Sequence, residues 1–168
     1  MAAQEGTNVG DVVQRARPLY IFDLDGTLAD CQHRVPILSE KHDPNRWRRF
    51  YAACGDDGPI MPVIGVLHAL VRSGADVWIF SGRSEEVRDV THKWLYAATG
   101  YFWLRGVNVT MRAEGDHRAD DVVKGEWVDG MLDVDRERLA AAFDDRDRVV
   151  AMWRSRGIQC FQVAPGDF

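Results

Sequence analysis

Five short apolar runs recur along the chain, and the stretches between them carry the period of a helix. The runs are Leu19–Leu24, Ala75–Phe80, Gly106–Met111, Leu139–Phe143 and Ile158–Val163. Runs of this length without polar alternation read as strands buried on both faces. Such strands must be covered by helices on each side, and right-handed βαβ crossovers join them in parallel. The pattern therefore predicts an α/β fold, one parallel sheet with helices on both faces.

The helical stretches agree with this. Residues 61–73 place Val63, Val66, Leu67, Leu70 and Val71 on one face, and Gly74 stands where a helix stop belongs. Ser84 suits an N-cap, with Glu85 and Glu86 in the first turn and Val87, Val90, Trp94 and Leu95 on one face. Further helices are expected over 121–132 and 146–156, the second stopped by Gly157.

One connection breaks the rhythm. About 36 residues separate the first run from the helix at 61, far more than a usual βα loop. Short helices over Arg34–Glu40 and Asn45–Ala53, closed by the turn cluster Gly55–Pro59, would make a small helical cap inserted at about residues 30–59. It would lie over the C-terminal edge of the sheet, where open α/β sheets bind ligands. Residues 1–17 are polar and without period and read as a mobile tail, which leaves 18–168 as one domain.

Composition bounds the setting. At 168 residues, 46% hydrophobic and 28% charged, the chain is sized for one core that needs no staples. Three cysteines, Cys31, Cys54 and Cys160, form neither a disulfide framework nor a zinc spacing. The start has no signal-peptide pattern, and no apolar run reaches the ~20 residues that span a bilayer. A reduced, cytoplasmic location without membrane contact is expected. The net charge of −5, from 21 basic and 26 acidic residues, argues against coating long duplexes. It does not exclude an acidic, Mg²⁺-binding enzyme that acts on a nucleic-acid end.

The chemistry sits where the strands end. Asp23-Leu-Asp25-Gly26-Thr27 comes directly after the first strand, two carboxylates beside a glycine, and forms a hard-oxygen corner suited to Mg²⁺. Aspartate is also a residue that can form an acyl-phosphate. The plain alternative is an Asx-type turn. Ser81-Gly82-Arg83 closes the second strand and sets a hydroxyl and helix amides where a phosphate can bind, or simply caps the helix. Lys124, flanked by Val122 and Val123, could neutralise phosphate and carboxylate, or lie on a solvated surface. Asp144-Asp145 ends the fourth strand, an uncompensated negative corner unless a cation or a helix N-terminus faces it. Acids, hydroxyl, lysine and acids in consecutive βα units would meet at one sheet edge.

These residues resemble the motifs of the haloacid dehalogenase superfamily of aspartyl-phosphate phosphatases, which have a Rossmann-like fold. Within it the chain is similar to the 3′-phosphatase domain of phage polynucleotide kinase/phosphatase enzymes. Ile21–Ala29, Phe80–Arg83, Asp120–Lys124, Asp144–Arg146, Val149–Arg154 and Gln162–Phe168 carry that likeness. The resemblance implies Asp23 as nucleophile and Mg²⁺ ligand and Asp25 as general acid/base with its carbonyl on the metal. It implies Ser81 on a phosphate oxygen and Lys124 on the transferring group. Asp144 and Asp145 would complete the metal site, and Thr27, Arg34, Gly82, Arg83 and Asp120 would bind substrate. Carboxylate neighbours would raise the Asp25 pKa and give a mildly acid rate optimum. The G-x-x-x-x-G-K-[ST] loop of the kinase half does not occur here, so a kinase would be a separate partner.

The substrate is narrowed by residues 31–50. Arg34, Lys41, Arg46, Arg48 and Arg49 outnumber Glu40 and Asp43, and Trp47, Phe50 and Tyr51 interleave with them. Cations for phosphates and aromatic faces for bases suit a single-stranded end or a nucleotide. Equally, the aromatics could close the cap on the core. Trp103, Arg105, Arg112 and Arg118 could extend the rim. A 3′-phosphatase on polynucleotide ends or nucleotides is the favoured reading. A small-molecule phosphatase such as a 5′-nucleotidase, and a catalytically idle phosphate-binding protein, are the alternatives. The five histidines form no ligand spacing and receive no role.

Overall fold

In a computed structural model, residues 16–100 and 108–166 are described. The expected tail falls outside them except for its last two residues, as do Trp103, Arg105, the first two residues of the third run and the last two of the chain. Five parallel strands form one sheet: β1 Leu19–Phe22, β4 Asp76–Ser84, β5 Asn108–Arg112, β6 Leu139–Asp144 and β7 Cys160–Gln162. Their order is β5-β4-β1-β6-β7. This is the α/β parallel sheet expected from the alternation of runs.

Although β1 is wholly apolar, it still obeys the period of two. Leu19 and Ile21 join one core with Phe80, Val128, Val149, Val150 and Trp153, under α5 (Asp120–Asp129) and α7 (Asp147–Ser155). Tyr20 and Phe22 face the other core, with Ile64 and Leu67 of α3 (Met61–Arg72) and Trp94 and Leu95 of α4 (Arg88–Thr99). Each fully buried Leu, Ile or Phe contributes roughly 1.5–3 kcal/mol. Both faces must therefore be covered, and the order of helices around the sheet results from that demand.

The inserted segment is shorter in helix than expected. It holds α1 (Val35–Leu38) and α2 (Arg46–Ala52), flanked by 3₁₀ turns at Gln32–Arg34 and Ala53–Asp56. Its two ends are tied by a ribbon absent from the expectation: β2 (Ala29–Asp30) pairs antiparallel with β3 (Gly58–Pro59). Pieces of two residues carry too little pattern to be read from a sequence.

Other differences have local causes. The second run continues through Ser84 as β4, and its pairing with β5 shifts register between Ser81 and Ser84. Gly82 and Arg83 are thus a bulge that re-aims its side chains, not the end of a strand. Ser84 does cap the next helical turn, accepting from the Glu86 amide, but that turn is 3₁₀. The helix expected over 121–132 stops at Asp129, and a separate α6 runs Asp133–Glu137. Val66 and Val90, placed on buried faces by period, are exposed, because α3 and α4 each bury a narrower stripe. Among the described residues no helix is long and apolar enough to cross a membrane.

Candidate active site

The C-terminal ends of β1 and β6 lie side by side, Phe22 opposite Phe143, so the acids just beyond them converge. Asp23, Asp144 and Asp145 each offer a carboxylate oxygen, and these atoms lie within 4.8 Å of one another. All three residues are buried. Lys124, reaching in from α5, donates from Nζ to Asp23 Oδ1 at 2.6 Å and to Asp144 Oδ2 at 2.8 Å. The shielding expected for Lys124 is fuller than its neighbours suggested: it is 3% exposed and Val123 is buried, whereas Val122 is 45% exposed.

One ammonium does not balance three carboxylates. Burial drives the Asp23 carboxyl well above its ordinary range; Lys124 opposes this, and Asp144 and Asp145 add to it. Burial, with the charge of Asp144, pushes Asp145 up to about 6. Burial also disfavours a charged Lys124, but Asp144 and Asp23 outweigh it and keep the ammonium protonated. Three convergent oxygen donors in a negative corner fit a hard divalent cation. The turn makes room for them: Gly26 sits at φ +85°, and a Cβ there would lie 2.0 Å from Asp145 Oδ2. Glycine meets both demands, the left-handed backbone and the close approach.

Asp25 is on a different circuit. Its carboxylate is not part of the cluster; Oδ1 accepts from Arg34 Nη2 at 2.6 Å and from Arg83 Nε and Nη2 at 2.8 and 2.6 Å. Burial would raise its pKa, but Arg83 and Arg34 more than offset that and hold it below the usual carboxylate range. The raised value expected from its acidic neighbours is overturned, because two guanidiniums stand nearer than the carboxylates. An acid rate optimum no longer follows from Asp25.

Arg34 and Arg83, which the resemblance implies as substrate-binding, are wholly buried. Both are anchored on Asp57, at the far end of the inserted segment. His33 shares Asp57 at 2.8 Å. Asp57 and His33 carry no sequence motif; only the ribbon that returns residue 57 to residue 34 places them together. Asp120 accepts from Arg112 and Arg146 and packs on Gly82, where a Cβ would sit 2.7 Å from Asp120 Oδ1. The neighbouring Asp121 lies 3.8 Å from Arg148 Nε.

A pocket of about 380 Å³ opens above the cluster. Asp23, Asp25, Lys124, Asp144 and Asp145 line its floor, with Gly82 and Asp120 beside them. One wall is Trp47, Phe50 and Tyr51, their rings 5.7–6.0 Å apart; the other carries Arg112, Arg118, Arg146 and Arg148. Phe50 is buried, with the Arg34 guanidinium 4.1 Å above its ring, so this aromatic closes the cap on the core. Trp47 remains 42% exposed. Arg49, counted toward a positive rim, is tied to Glu40 and Asp43. Ser81 and Thr27 are fully buried and do not line the pocket. The Ser81 hydroxyl accepts from the Arg83 amide at 3.2 Å, while Thr27 Oγ1 has no partner among the described residues.

The family model for the phosphatase domain of the polynucleotide kinase PNKP matches residues 17–168, nearly all of the chain. The chain belongs to the polynucleotide kinase phosphatase family. It is thereby a phosphatase of the haloacid dehalogenase superfamily, as its motifs indicated. It is 30% identical to a chain in a solved Pnkp1/Rnl/Hen1 RNA repair complex, over 90% of this chain and 44% of that one, with a TM-score of 0.72. A second structure of the Pnkp1/Rnl/Hen1 complex gives 29% identity over 99% of this chain and 53% of that one, with a TM-score of 0.67. The chain thus spans about half the length of these relatives. A class C acid phosphatase from Bacillus anthracis with tungstate bound shares the fold at 18% identity and a TM-score of 0.59, over 90% of this chain and 67% of that one.

Proposed function

We propose that this member of the family is a Mg²⁺-dependent phosphomonoesterase that removes 3′-phosphate from polynucleotide ends through an aspartyl-phosphate intermediate. The observation that carries the reading is the buried set of Asp23, Asp144 and Asp145 around Lys124 Nζ, on the floor of a pocket with Asp25 beside it. Residues 18–168 act as one phosphatase domain, with residues 30–59 as its cap.

Asp23 attacks phosphorus in line, and the bond to the sugar oxygen breaks as that oxygen takes a proton from Asp25. Arg34 and Arg83 hold Asp25 below the usual carboxylate range in the free site, and it gains its proton as the phosphate's negative charge binds beside it. Asp25 then takes a proton from the water that hydrolyses the aspartyl-phosphate. Lys124 offsets charge on the transferring group. Asp23, Asp144 and Asp145, with the Asp25 carbonyl, would hold Mg²⁺, which would supply further positive charge to offset that on the transferring group. Because Ser81 Oγ already accepts from the Arg83 amide, its own proton is the one left to give a phosphate oxygen.

The aromatic and arginine walls favour a nucleotide end over a generic phosphate ester: Trp47 offers a face for a base and Arg118 and Arg148 offer charge for the adjoining phosphates. The relatives come from structures of an RNA repair complex, which supports RNA ends as substrate and a repair partner such as a separate kinase. Three free cysteines accord with work in the reduced cytoplasm. Phosphate release from a 3′-phosphorylated oligonucleotide, against 3′- and 5′-mononucleotides, with Mg²⁺ and with EDTA, tests the proposal. Preference for the oligonucleotide and loss in EDTA are expected. Preference for a 5′-mononucleotide would make the protein a 5′-nucleotidase, for which a pocket of about 380 Å³ is also large enough.

A further inference from the structure

Four arginines face the aromatic wall across the pocket, and they differ in what already holds them. Arg112 is buried and engaged at all three nitrogens: Nε donates to the Gly82 carbonyl at 3.0 Å, Nη1 to the Arg118 carbonyl at 2.7 Å, and Nη2 to Asp120. Arg146 donates to the same Asp120. Arg118 is spread over two acids, with Nη2 on Asp116 and Nη1 on Glu126. Arg148 stands apart. Among the described residues its guanidinium makes no hydrogen bond. Asp121 comes nearest, with Oδ1 3.8 Å from Nε, too far for one. The Arg148 side chain is 52% exposed.

The place of Arg148 suits one particular phosphate. It stands in the first turn of α7, three residues beyond Asp145, so the two Cα atoms are at most ~11 Å apart. With the 3′-phosphate on the floor and the base on Trp47, the next anion in a polynucleotide is the phosphate on the 5′ side of the same sugar. A guanidinium fork matches two phosphate oxygens, and this one gives up no bond to meet them. Past Arg148 the surface changes sign. A groove continues between α5 and α7, lined by Asp121, Glu126 and Asp129. Arg156 also lines it but is bound through Nε and Nη2 to Asp129, at 2.9 and 2.7 Å. A second phosphate on that side would meet carboxylates.

We infer that Arg148 determines specificity by binding that single phosphate, so that the unit this pocket recognises is a nucleoside 3′,5′-bisphosphate end and no longer stretch of chain. This rests on the 3′-phosphatase reading proposed above and adds the group that separates a polynucleotide end from a nucleoside 3′-monophosphate. Trp47 does not make that distinction, because both substrates carry a base. Arg148 meets only the backbone phosphate, so the preference it creates does not depend on base sequence.

The test measures kcat/KM with Mg²⁺ for wild type and Arg148→Ala on adenosine 3′-monophosphate, adenosine 3′,5′-bisphosphate and a 3′-phosphorylated adenosine trinucleotide. Products are separated by chromatography, so that only loss of the 3′-phosphate is counted. Wild type should prefer the bisphosphate to the monophosphate at least about tenfold, the scale of a hydrogen bond to a charged group. It should prefer the trinucleotide to the bisphosphate less than about threefold. In Arg148→Ala the bisphosphate-to-monophosphate ratio should fall to within about twofold of one, through a higher KM for the bisphosphate. A general loss of structure would lower both rates and leave their ratio at the wild-type value. That unchanged ratio would overturn the inference, as would a wild-type ratio near one or a trinucleotide advantage larger than the bisphosphate's. The parent reading fails by a different result. If wild type acts faster on adenosine 5′-monophosphate than on any of the 3′ esters, the protein is not a 3′-phosphatase, and the role of Arg148 falls with it.

Discussion

Replacing Lys124 by Met should produce opposite effects on catalysis and on cation dependence. The ammonium is buried and pairs at 2.6 and 2.8 Å with Asp23 and Asp144, while Asp145 adds a third carboxylate. Met keeps the length and apolar stem but leaves three buried acids with no cation. Breaking one side of a buried ion pair costs about 3–5 kcal/mol, or about 10 °C in Tm for a domain of this size. Mg²⁺ at about 100 times its Kd stabilises a protein by about 2.7 kcal/mol, so saturating metal should recover roughly half of that loss. Thermal unfolding of wild type and variant, each in EDTA and across a Mg²⁺ titration, measures all four corners. The expected result is a larger Mg²⁺-induced rise in Tm for Lys124→Met than for wild type, with phosphatase activity lost. A Tm in EDTA within about 3 °C of wild type would refute the claim that Lys124 neutralises the cluster. So would a smaller response to Mg²⁺ in the variant.

Asp23→Asn should abolish turnover while the unfolding transition persists, because the amide cannot form the phosphoryl bond; a variant keeping a tenth of wild-type activity would remove Asp23 as nucleophile. The pH dependence has a definite sign: with Asp145 raised to about 6 and Asp23 raised as well, the folded metal-free protein binds more protons than the unfolded chain between about pH 4 and 6. Stability in EDTA should therefore fall as pH rises through that window, and Mg²⁺ should reverse the slope because the ionised acids bind it; a flat profile would contradict the pairing of these acids. Trp47→Ala should raise KM for a 3′-phosphorylated oligonucleotide about tenfold, since stacking is worth about 1–3 kcal/mol per base, and leave KM for p-nitrophenyl phosphate unchanged. Equal effects on both would place Trp47 in the packing of the cap instead.

The legible part of the chain is its local chemistry. Leu19–Phe22 and Val77–Phe80 announce buried strands by apolar content, Ser84 announces a helix start, and Asp23, Lys124 and Asp144 stand out by their type beside such elements. Arg34 is not legible in this way, because a cationic residue in a basic segment looks like a surface group; its partner lies 23 residues away, across two turns and a ribbon. Asp57 is hidden for the same reason, since an acid in a turn cluster has no signature until its neighbours in space are known.

By itself, then, the sequence determined the α/β class, the insertion after the first strand and the set of polar residues at the strand ends, because hydrophobic period and turn chemistry act over a few residues. Tertiary structure alone decided how those acids divide. Asp23, Asp144 and Asp145 meet around Lys124, which lies 101 positions from Asp23 along the chain. Asp25, only two residues from Asp23, turns instead to Arg34 and Arg83. Which charge a carboxylate faces, and so which protonation state it favours, depends on burial and on distances through space that no local pattern encodes.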